Sequence, residues 1–245
     1  MKVRLDQLLV ARGLAPTRSQ ARDLVVRGCV SVSGVVARRH GVTVVSDAAV
    51  TVVPGAQPYV SRGGLKLAAA LDAFGFDPAG RIALDVGAST GGFTDVLLRR
   101  GAARVVAVDV GRGQLHPAIA GDPRVTSLEG QDIRELDSTL VPSGVGAITV
   151  DVSFVSLTVA LPAALELALP GAWLAALVKP QFEVGRADIG KGGIVRDDAA
   201  RQRALDHISA WLASQPGWRV AGSMTSPVAG GSGNTEFLIG AVRHD

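Results

Sequence analysis

The sequence has few residues of the kinds that form disulfides or bind metals. Only one of its 245 residues is a cysteine, Cys29, so a disulfide framework is excluded. The four histidines are scattered along the chain and lack the short spacings that metal ligands require. We therefore predict a cytoplasmic protein without a metal site, whose chemistry depends on other side chains.

Segments that would direct the chain to a membrane are also lacking. The first ten residues carry three charges and no apolar core, which argues against a secretory signal peptide. One apolar run, residues 157–178, is about as long as a membrane span, but Glu166 lies in its middle. Pro162 and the pair Pro170-Gly171 divide this run into a predicted helix, a turn and a buried strand. The sequence therefore predicts no membrane span.

The basic residues are unevenly distributed. Residues 1–60 contain eight lysines and arginines against three acidic residues, although the net charge of the whole chain is only +3. With 47% hydrophobic and 19% charged residues, the chain has a globular composition, and its length allows one α/β core and a small second domain. This pattern favours a basic domain that binds a polyanion, beside a larger domain that acts on it. A basic surface that is only solvated is the alternative.

The first sixty residues predict two short helices followed by small strands. The helices cover residues 4–12 and 17–28, and the strands cover residues 30–36, 42–45 and 50–53. Thr17 and Gln20 have the spacing of a capping box at the start of the second helix. Arg18 and Arg22 lie one turn apart on that helix, so their guanidinium groups can meet neighbouring phosphates.

This segment resembles the S4 RNA-binding domain in its Thr-Arg-Ser-Gln-Ala-Arg run, residues 17–22, and in its Val-Ser-Val-Ser-Gly-Val-Val run, residues 30–36. The resemblance implies a domain over residues 1–53 that binds structured RNA through phosphates and shape, while a helical cap on the larger domain is the alternative. The glycine-rich basic loop 183–196 predicts an RNA-facing lid, with a plain surface loop as the alternative. The predicted RNA contacts are all basic: Arg4, Arg18, Arg22, Arg27, Arg62, Arg186 and Lys191.

Residues 54–60 are rich in proline and glycine and predict a linker, after which residues 61–245 form the second domain. In this domain apolar strand-like runs alternate with helical stretches, which is typical of a doubly wound parallel sheet. The predicted fold class is α/β, Rossmann-like and seven-stranded, with a small α+β domain in front. The predicted strands are residues 82–86, 104–109, 124–128, 147–152, 172–178, 218–225 and 236–242.

A glycine-rich loop follows the first of these strands. Asp85 ends the strand, and Gly87, Gly91 and Gly92 let the backbone approach a ligand closely before the next helix. Their Gly-x-x-x-Gly-Gly spacing differs from the Gly-x-Gly-x-x-Gly spacing that binds a dinucleotide pyrophosphate. The polar Ser89-Thr90 pair suits the amino-acid half of S-adenosylmethionine, which has no phosphate.

Two further carboxylates at strand ends extend the predicted cofactor site. Asp109 ends the second strand, where it can hold the two ribose hydroxyls of a nucleoside, and Asp132 follows the third strand, where it can meet an adenine amino group. Any one of these acids alone is more often a loop or capping residue, whereas three at consecutive strand ends favour S-adenosylmethionine as the cofactor. The predicted cofactor residues are Asp85, Gly87, Ser89, Thr90, Gly91, Gly92, Phe93, Asp109 and Asp132.

Lysine is scarce in this chain. Only four of the 25 basic residues are lysines: Lys2, Lys66, Lys179 and Lys191. Burial and neighbouring charges can turn a lysine into a base, whereas an arginine stays protonated. Lys179 follows a buried run at the end of a central strand, and Asp151 has the equivalent position on the preceding strand. Lys66 is a candidate second cation, and Glu236 can hold one of the lysines, although each alone is more often an ordinary surface charge.

In their order and strand positions, Lys66, Asp151, Lys179 and Glu236 resemble the Lys-Asp-Lys-Glu tetrad of FtsJ-type ribose 2′-O-methyltransferases. With an S4-like domain in front, the whole chain resembles the TlyA-type, or hemolysin-like, ribosomal RNA methyltransferases. The resemblance implies methylation of a cytidine 2′-hydroxyl in 16S or 23S ribosomal RNA, or both, with S-adenosylmethionine as methyl donor. It implies that Lys179 is the base, that Asp151 orients it, and that Lys66 and Glu236 position the ribose.

Three other functions are open at this point. A small-molecule O-methyltransferase would use the same cofactor and leave the basic domain incidental. A non-catalytic RNA-binding assembly factor would bind ribosomal RNA without consuming cofactor. A membrane-active hemolysin is suggested only by the family's second label.

Overall fold

The computed structural model describes residues 1–56, 59–141 and 144–244. The chain divides into two compact units, residues 1–62 and 63–245. Gln57 and Pro58, which belong to the predicted linker, lie outside the described residues.

The first unit packs two helices against short antiparallel strands. Its elements are β1 (Lys2–Arg4), α1 (Leu5–Ala11), α2 (Arg18–Val26), β2 (Val30–Val32), β3 (Val35–Val36), β4 (Thr43–Val45) and β5 (Val50–Val52). The Thr17 side chain accepts a hydrogen bond from the Gln20 amide, which confirms the predicted cap of α2. The predicted strand 30–36 is a hairpin, because Ser33 and Gly34 both have positive φ and reverse the chain. Leu5, Leu9 and Leu24 are fully or almost fully buried and form the centre of this unit's core.

The second unit contains a large sheet with helices on its faces. Its helices are α3 (Gly63–Phe74), α4 (Gly92–Arg99), α5 (Pro117–Ala120), α6 (Leu157–Ala160), α7 (Pro162–Glu166), α8 (Pro180–Glu183) and α9 (Asp198–Ala213). Its strands are β6 (Ile82–Val86), β7 (Arg104–Asp109), β8 (Val125–Glu129), β9 (Val145–Val150), β10 (Ala168–Val178), β11 (Trp218–Thr225) and β12 (Phe237–Arg243). Within the described residues the sheet has seven strands in the order β11-β12-β10-β9-β6-β7-β8, and this confirms the predicted fold class.

The apolar run 157–178 forms α6, α7 and β10, as predicted. Every residue of β9 is buried, because parallel strands in the middle of such a sheet are covered on both faces. Along the part of the chain that the structure describes, no helix combines the length and the apolar character needed to cross a membrane.

The predicted parallel arrangement does not extend to the last strand. β12 runs antiparallel to both β10 and β11. A parallel connection needs a crossover of a dozen or more residues, usually a helix, but residues 226–236 are a turn-rich loop without one. The chain therefore turns back beside β11 and inserts between it and β10.

This insertion places the start of β12 at the edge where the parallel strands end. Val178 pairs with Phe237, so Lys179 and Glu236 occupy the next positions in the register. Gly240 of β12 lets α3 lie directly against the strand, since a Cβ there would be 2.7 Å from the ring of Phe74. The fold thereby brings helix α3, which carries Lys66, to the sheet beside Glu236.

Candidate active site

A cavity of about 530 Å³ opens at the carboxyl edge of the sheet. The loops after β6, β7, β8 and β9 line it, as expected for a ligand site in an open α/β sheet. Its lining residues include Gly87, Ser89, Asp109, Gln114, the segment Asp132–Arg134 and the segment Asp151–Val155. This volume lies in the usual range for small-molecule and cofactor sites.

The loop after β6 passes close to the end of β9. Gly87 has φ +78°, and a Cβ on it would lie 2.6 Å from the carbonyl oxygen of Asp151. Gly91 has φ +86° and caps the N-terminus of α4. These two positions require glycine, for backbone conformation at both and for close approach at Gly87.

Asp109 fixes the two loops at the cavity wall. Its carboxylate accepts hydrogen bonds from the amides of Ser89 and Gly111, both at 2.7 Å. Ser89 has φ +46°, and its hydroxyl donates to the Gln114 side chain at 3.1 Å. The Asp109 carboxylate thus lines the cavity in a fixed position.

Asp85 is fully buried and does not line the cavity. Its carboxylate accepts hydrogen bonds from the hydroxyls of Thr94 at 2.6 Å and Thr149 at 3.0 Å. Burial raises the pKa of Asp85 to about 6, despite these hydrogen bonds. The side chain therefore joins β6 to α4 and β9, beneath the loop that follows β6.

Asp132 lines the cavity, but its carboxylate is already engaged. Arg134 contacts it at 2.5 Å, and the Arg134 amide also donates to it. Hydrogen bonding to Arg134 lowers the pKa of Asp132 to about 2. The neighbouring Ile133 lines the same part of the cavity with an apolar side chain.

The remaining predicted cofactor residues lie away from the cavity lining. Thr90 is exposed, whereas Gly91, Gly92 and Phe93 are buried at the start of α4. Phe93 is only 3% exposed and lies in the first turn of α4. These residues shape the loop rather than form the cavity wall.

Two buried lysines form ion pairs next to this edge. Lys179 Nζ lies 2.6 Å from Asp151 Oδ1 and donates to the Ser153 hydroxyl at 2.9 Å. Lys66 Nζ lies 2.5 Å from Glu236 Oε2. Lys66, Lys179 and Glu236 are each less than a tenth exposed, which is rare for charged side chains unless they are paired.

The two pairs are neighbours through the sheet. Lys179 and Glu236 follow the paired residues Val178 and Phe237, and Asp151 follows β9, which pairs with β10. A Cβ at Gly230 would overlap the Glu236 carboxylate, so the loop before β12 covers this acid. The fold therefore brings the four predicted catalytic residues to one edge of the sheet.

Models of known protein families match both parts of the chain. Residues 59–243 match the family model of the FtsJ-like methyltransferases, and residues 3–50 match that of the S4 domain. The chain belongs to the FtsJ-like methyltransferase family.

Similarity to individual proteins indicates the type of FtsJ-like methyltransferase that the chain resembles. The 16S/23S rRNA (cytidine-2′-O)-methyltransferase TlyA of Mycobacterium tuberculosis is 45% identical over 239 residues, which are 97% of this chain and 89% of the relative. Hemolysin A of Brachyspira hyodysenteriae is 38% identical, covering 96% of this chain and 98% of the relative. A solved structure from Streptococcus thermophilus, provisionally named a hemolysin, is 40% identical with a TM-score of 0.78, covering 100% of this chain and 89% of that one. These matches confirm the predicted TlyA-type resemblance.

In the first unit of this FtsJ-like methyltransferase, one buried carboxylate holds three of the predicted RNA contacts. Asp6 is fully buried, and it pairs with Arg4 and Arg22 at 3.0 Å and with Arg18 at 3.3 Å. Hydrogen bonding to Arg4, opposed by burial, holds the pKa of Asp6 well below its usual range. The three arginine side chains remain a little under half exposed while they share this carboxylate.

The other predicted RNA contacts are more dispersed. Arg27 and Arg62 both pair with Asp23, at 2.8 Å and 3.4 Å. Arg186 and Lys191 are exposed on the glycine-rich loop of the second unit.

Sequence reasoning about this FtsJ-like methyltransferase missed two residues beside Lys179. Ser153 contacts the lysine directly, and Phe154, 90% exposed with φ +66°, lines the cavity and contacts the ring of Phe182 in a tilted arrangement, with the ring centroids 5.1 Å apart. The only sequence signal was their position just after Asp151.

Proposed function

We propose that this FtsJ-like methyltransferase transfers a methyl group from S-adenosylmethionine to the 2′-hydroxyl of a cytidine ribose in 16S or 23S ribosomal RNA, or both. The observation that carries the proposal is the ion pair between the buried Lys179 and Asp151, because Asp151 lines a cofactor-sized cavity. The 45% identity to a 16S/23S rRNA (cytidine-2′-O)-methyltransferase supports the substrate class.

The residues around the cavity fit S-adenosylmethionine. Asp109 presents a fixed carboxylate that suits the two ribose hydroxyls, and Ile133 offers an apolar surface that suits adenine. Gly87 keeps the backbone open where any side chain would meet Asp151. When bound, the cofactor supplies an electrophilic methyl group on a sulfonium.

We assign Lys179 the role of general base for the ribose hydroxyl. Asp151 and Ser153 hold its Nζ at the cavity edge, and an unprotonated Nζ there accepts the 2′-hydroxyl proton. The resulting alkoxide oxygen is the nucleophile. A positioned base of this kind contributes roughly 10²- to 10⁴-fold to the rate, and the Lys66–Glu236 pair beside it positions the ribose.

The first unit supplies RNA affinity in this proposal. Guanidinium groups bind phosphates well because their forked donors match phosphate oxygens. Arg4, Arg18 and Arg22 are held together by Asp6 and remain partly exposed, so they can meet neighbouring phosphates of a folded RNA. Ribosomal RNA, free or in a subunit, is therefore the proposed partner.

Transfer of a labelled methyl group to isolated ribosomal subunits, followed by mapping of 2′-O-methyl sites, tests the proposal. We expect a labelled cytidine with the wild type and none with Lys179→Arg, which keeps the charge but loses the base. Lys2→Arg, an exposed lysine in β1, is the matched control and should transfer at the wild-type rate. Label on a base, label on a small molecule only, or transfer by Lys179→Arg would contradict the proposal.

A further inference from the structure

Two chain segments that contain candidate catalytic residues contact each other at three points. The catalytic loop, residues 151–157, follows β9, and the lysine segment, residues 179–183, follows β10. Lys179 contacts Asp151 and Ser153, and the ring of Phe182 contacts that of Phe154 at a tilt of 51°. The third link is made by Glu183, which none of the steps above uses.

Glu183 ends α8 and is largely withdrawn from solvent. Its Oε2 accepts a hydrogen bond from the Ser156 hydroxyl at 2.6 Å, and its Oε1 accepts one from the Leu157 amide at 2.9 Å. Both carboxylate oxygens therefore bind the far end of the catalytic loop. Burial raises the pKa of Glu183, opposed by these two hydrogen bonds.

The catalytic loop needs such a restraint because its backbone is strained. Phe154 has φ +66°, a conformation that residues with a side chain rarely adopt, and the residue is 90% exposed. Contacts around such a residue must hold it in place. Lys179 and Asp151 hold one end of the loop, and Glu183 holds the other.

We propose that Glu183 is a positioning residue for methyl transfer: by fixing Ser156 and Leu157, it keeps Asp151 and Ser153 against Lys179. The inference rests on the proposed function. Glu183 acts through the loop and does not itself contact the reacting atoms.

The test compares Glu183→Ala and Glu183→Gln in single-turnover methyl transfer to ribosomal subunits. Small displacements of reacting groups cost up to about 100-fold in rate, so we expect Glu183→Ala to be about 10- to 100-fold slower. We expect its dissociation constant for S-adenosylhomocysteine to change far less than its rate. In Glu183→Gln the amide oxygen can accept from Leu157 and the amide nitrogen can donate to Ser156, so most of the rate should return.

Glu166→Ala is the matched control, because Glu166 is exposed at the end of α7 and should tolerate the change without loss of rate. If Glu183→Ala does not fold, Ser156→Ala carries the test: it removes one of the two links and should be slower than wild type, with unaltered S-adenosylhomocysteine binding. Wild-type rates in the folded variants, or rate losses that vanish after correction for the folded fraction, would overturn the inference. Absence of transfer by the wild type would instead overturn the proposed function.

Discussion

At the scale of single residues, Lys66 and Glu236 form a buried pair in which each charge compensates the other, so the stability of the fold depends on keeping both. Removing one partner of a buried ion pair leaves an uncompensated charge and typically costs about 3–5 kcal/mol. We expect Lys66→Met to lower the free energy of unfolding by about that amount, measured by urea denaturation. Lys2→Met, at an exposed position, is the matched control, and Lys66→Met together with Glu236→Leu should recover much of the loss. A single variant as stable as wild type would contradict this account of the pair.

Asp85 makes stability depend on pH. Its folded-state pKa of about 6 lies above the usual 3.8 because the carboxyl is buried, so the folded state binds this proton more tightly than the unfolded state. The contribution is fully present below about pH 4 and is lost as the pH rises through 6. Asp85→Asn removes this dependence, and its unfolding free energy relative to wild type should rise by roughly 2 kcal/mol between pH 4 and 7. Urea denaturation at several pH values measures the difference, and a difference independent of pH would disprove the assignment.

The scarcity of lysine helped to locate the candidate site, because each of the four lysines could be considered as a possible catalytic residue. Lys66 and Lys179 are both buried against carboxylates, whereas Lys2 and Lys191 are exposed. Ser153 could not be found in this way, since serine is not scarce in the chain and its contact with Lys179 joins residues 26 positions apart.

At the scale of elements, the central strands were predictable because buried parallel strands are continuous apolar runs. The predicted bounds of β6, β7 and β11 agree with the structure at every residue. The reversed direction of β12 was not predicted, because hydrophobic periodicity carries no information on strand direction. The direction is indicated instead by the loop 226–236, which is short and rich in turns and therefore contains no crossover helix.

The loop between β6 and α4 gives a prediction about close packing. Gly87→Ala forces a Cβ to within 2.6 Å of the Asp151 carbonyl oxygen at a positive φ, so β6 and β9 must separate at the cavity. We expect weaker S-adenosylhomocysteine binding by calorimetry and a loss of stability of about 1–3 kcal/mol. Gly75→Ala is the matched control, because its φ is +68° but no atom lies within 4 Å of the added Cβ. Gly75→Ala should lose some stability and keep its affinity for S-adenosylhomocysteine. Equal losses of this affinity in both variants would contradict the argument that the Gly87 Cβ crowds Asp151.

At the scale of the whole molecule, charge is divided between the two units. The first sixty residues hold eight of the 25 basic residues and only three acids, and Asp6 gathers three of these arginines. The uneven charge was evident from the sequence, whereas the anchoring by a buried acid was not, because Asp6 and Arg22 are 16 residues apart. RNA affinity and cofactor affinity should therefore respond to different substitutions.

Replacing Arg18 and Arg22 together with glutamine tests this division. Glutamine keeps a hydrogen-bond donor for Asp6 but removes two charges that can meet phosphates. Each lost phosphate contact lowers the slope of log affinity against log salt concentration by about one, so binding to ribosomal subunits should weaken and its slope fall by about two. S-adenosylhomocysteine affinity should not change, and Arg219→Gln, an exposed arginine on β11, serves as the matched control for loss of charge. If the salt slope stays at its wild-type value, these arginines do not contact phosphates, and RNA affinity arises elsewhere in the molecule.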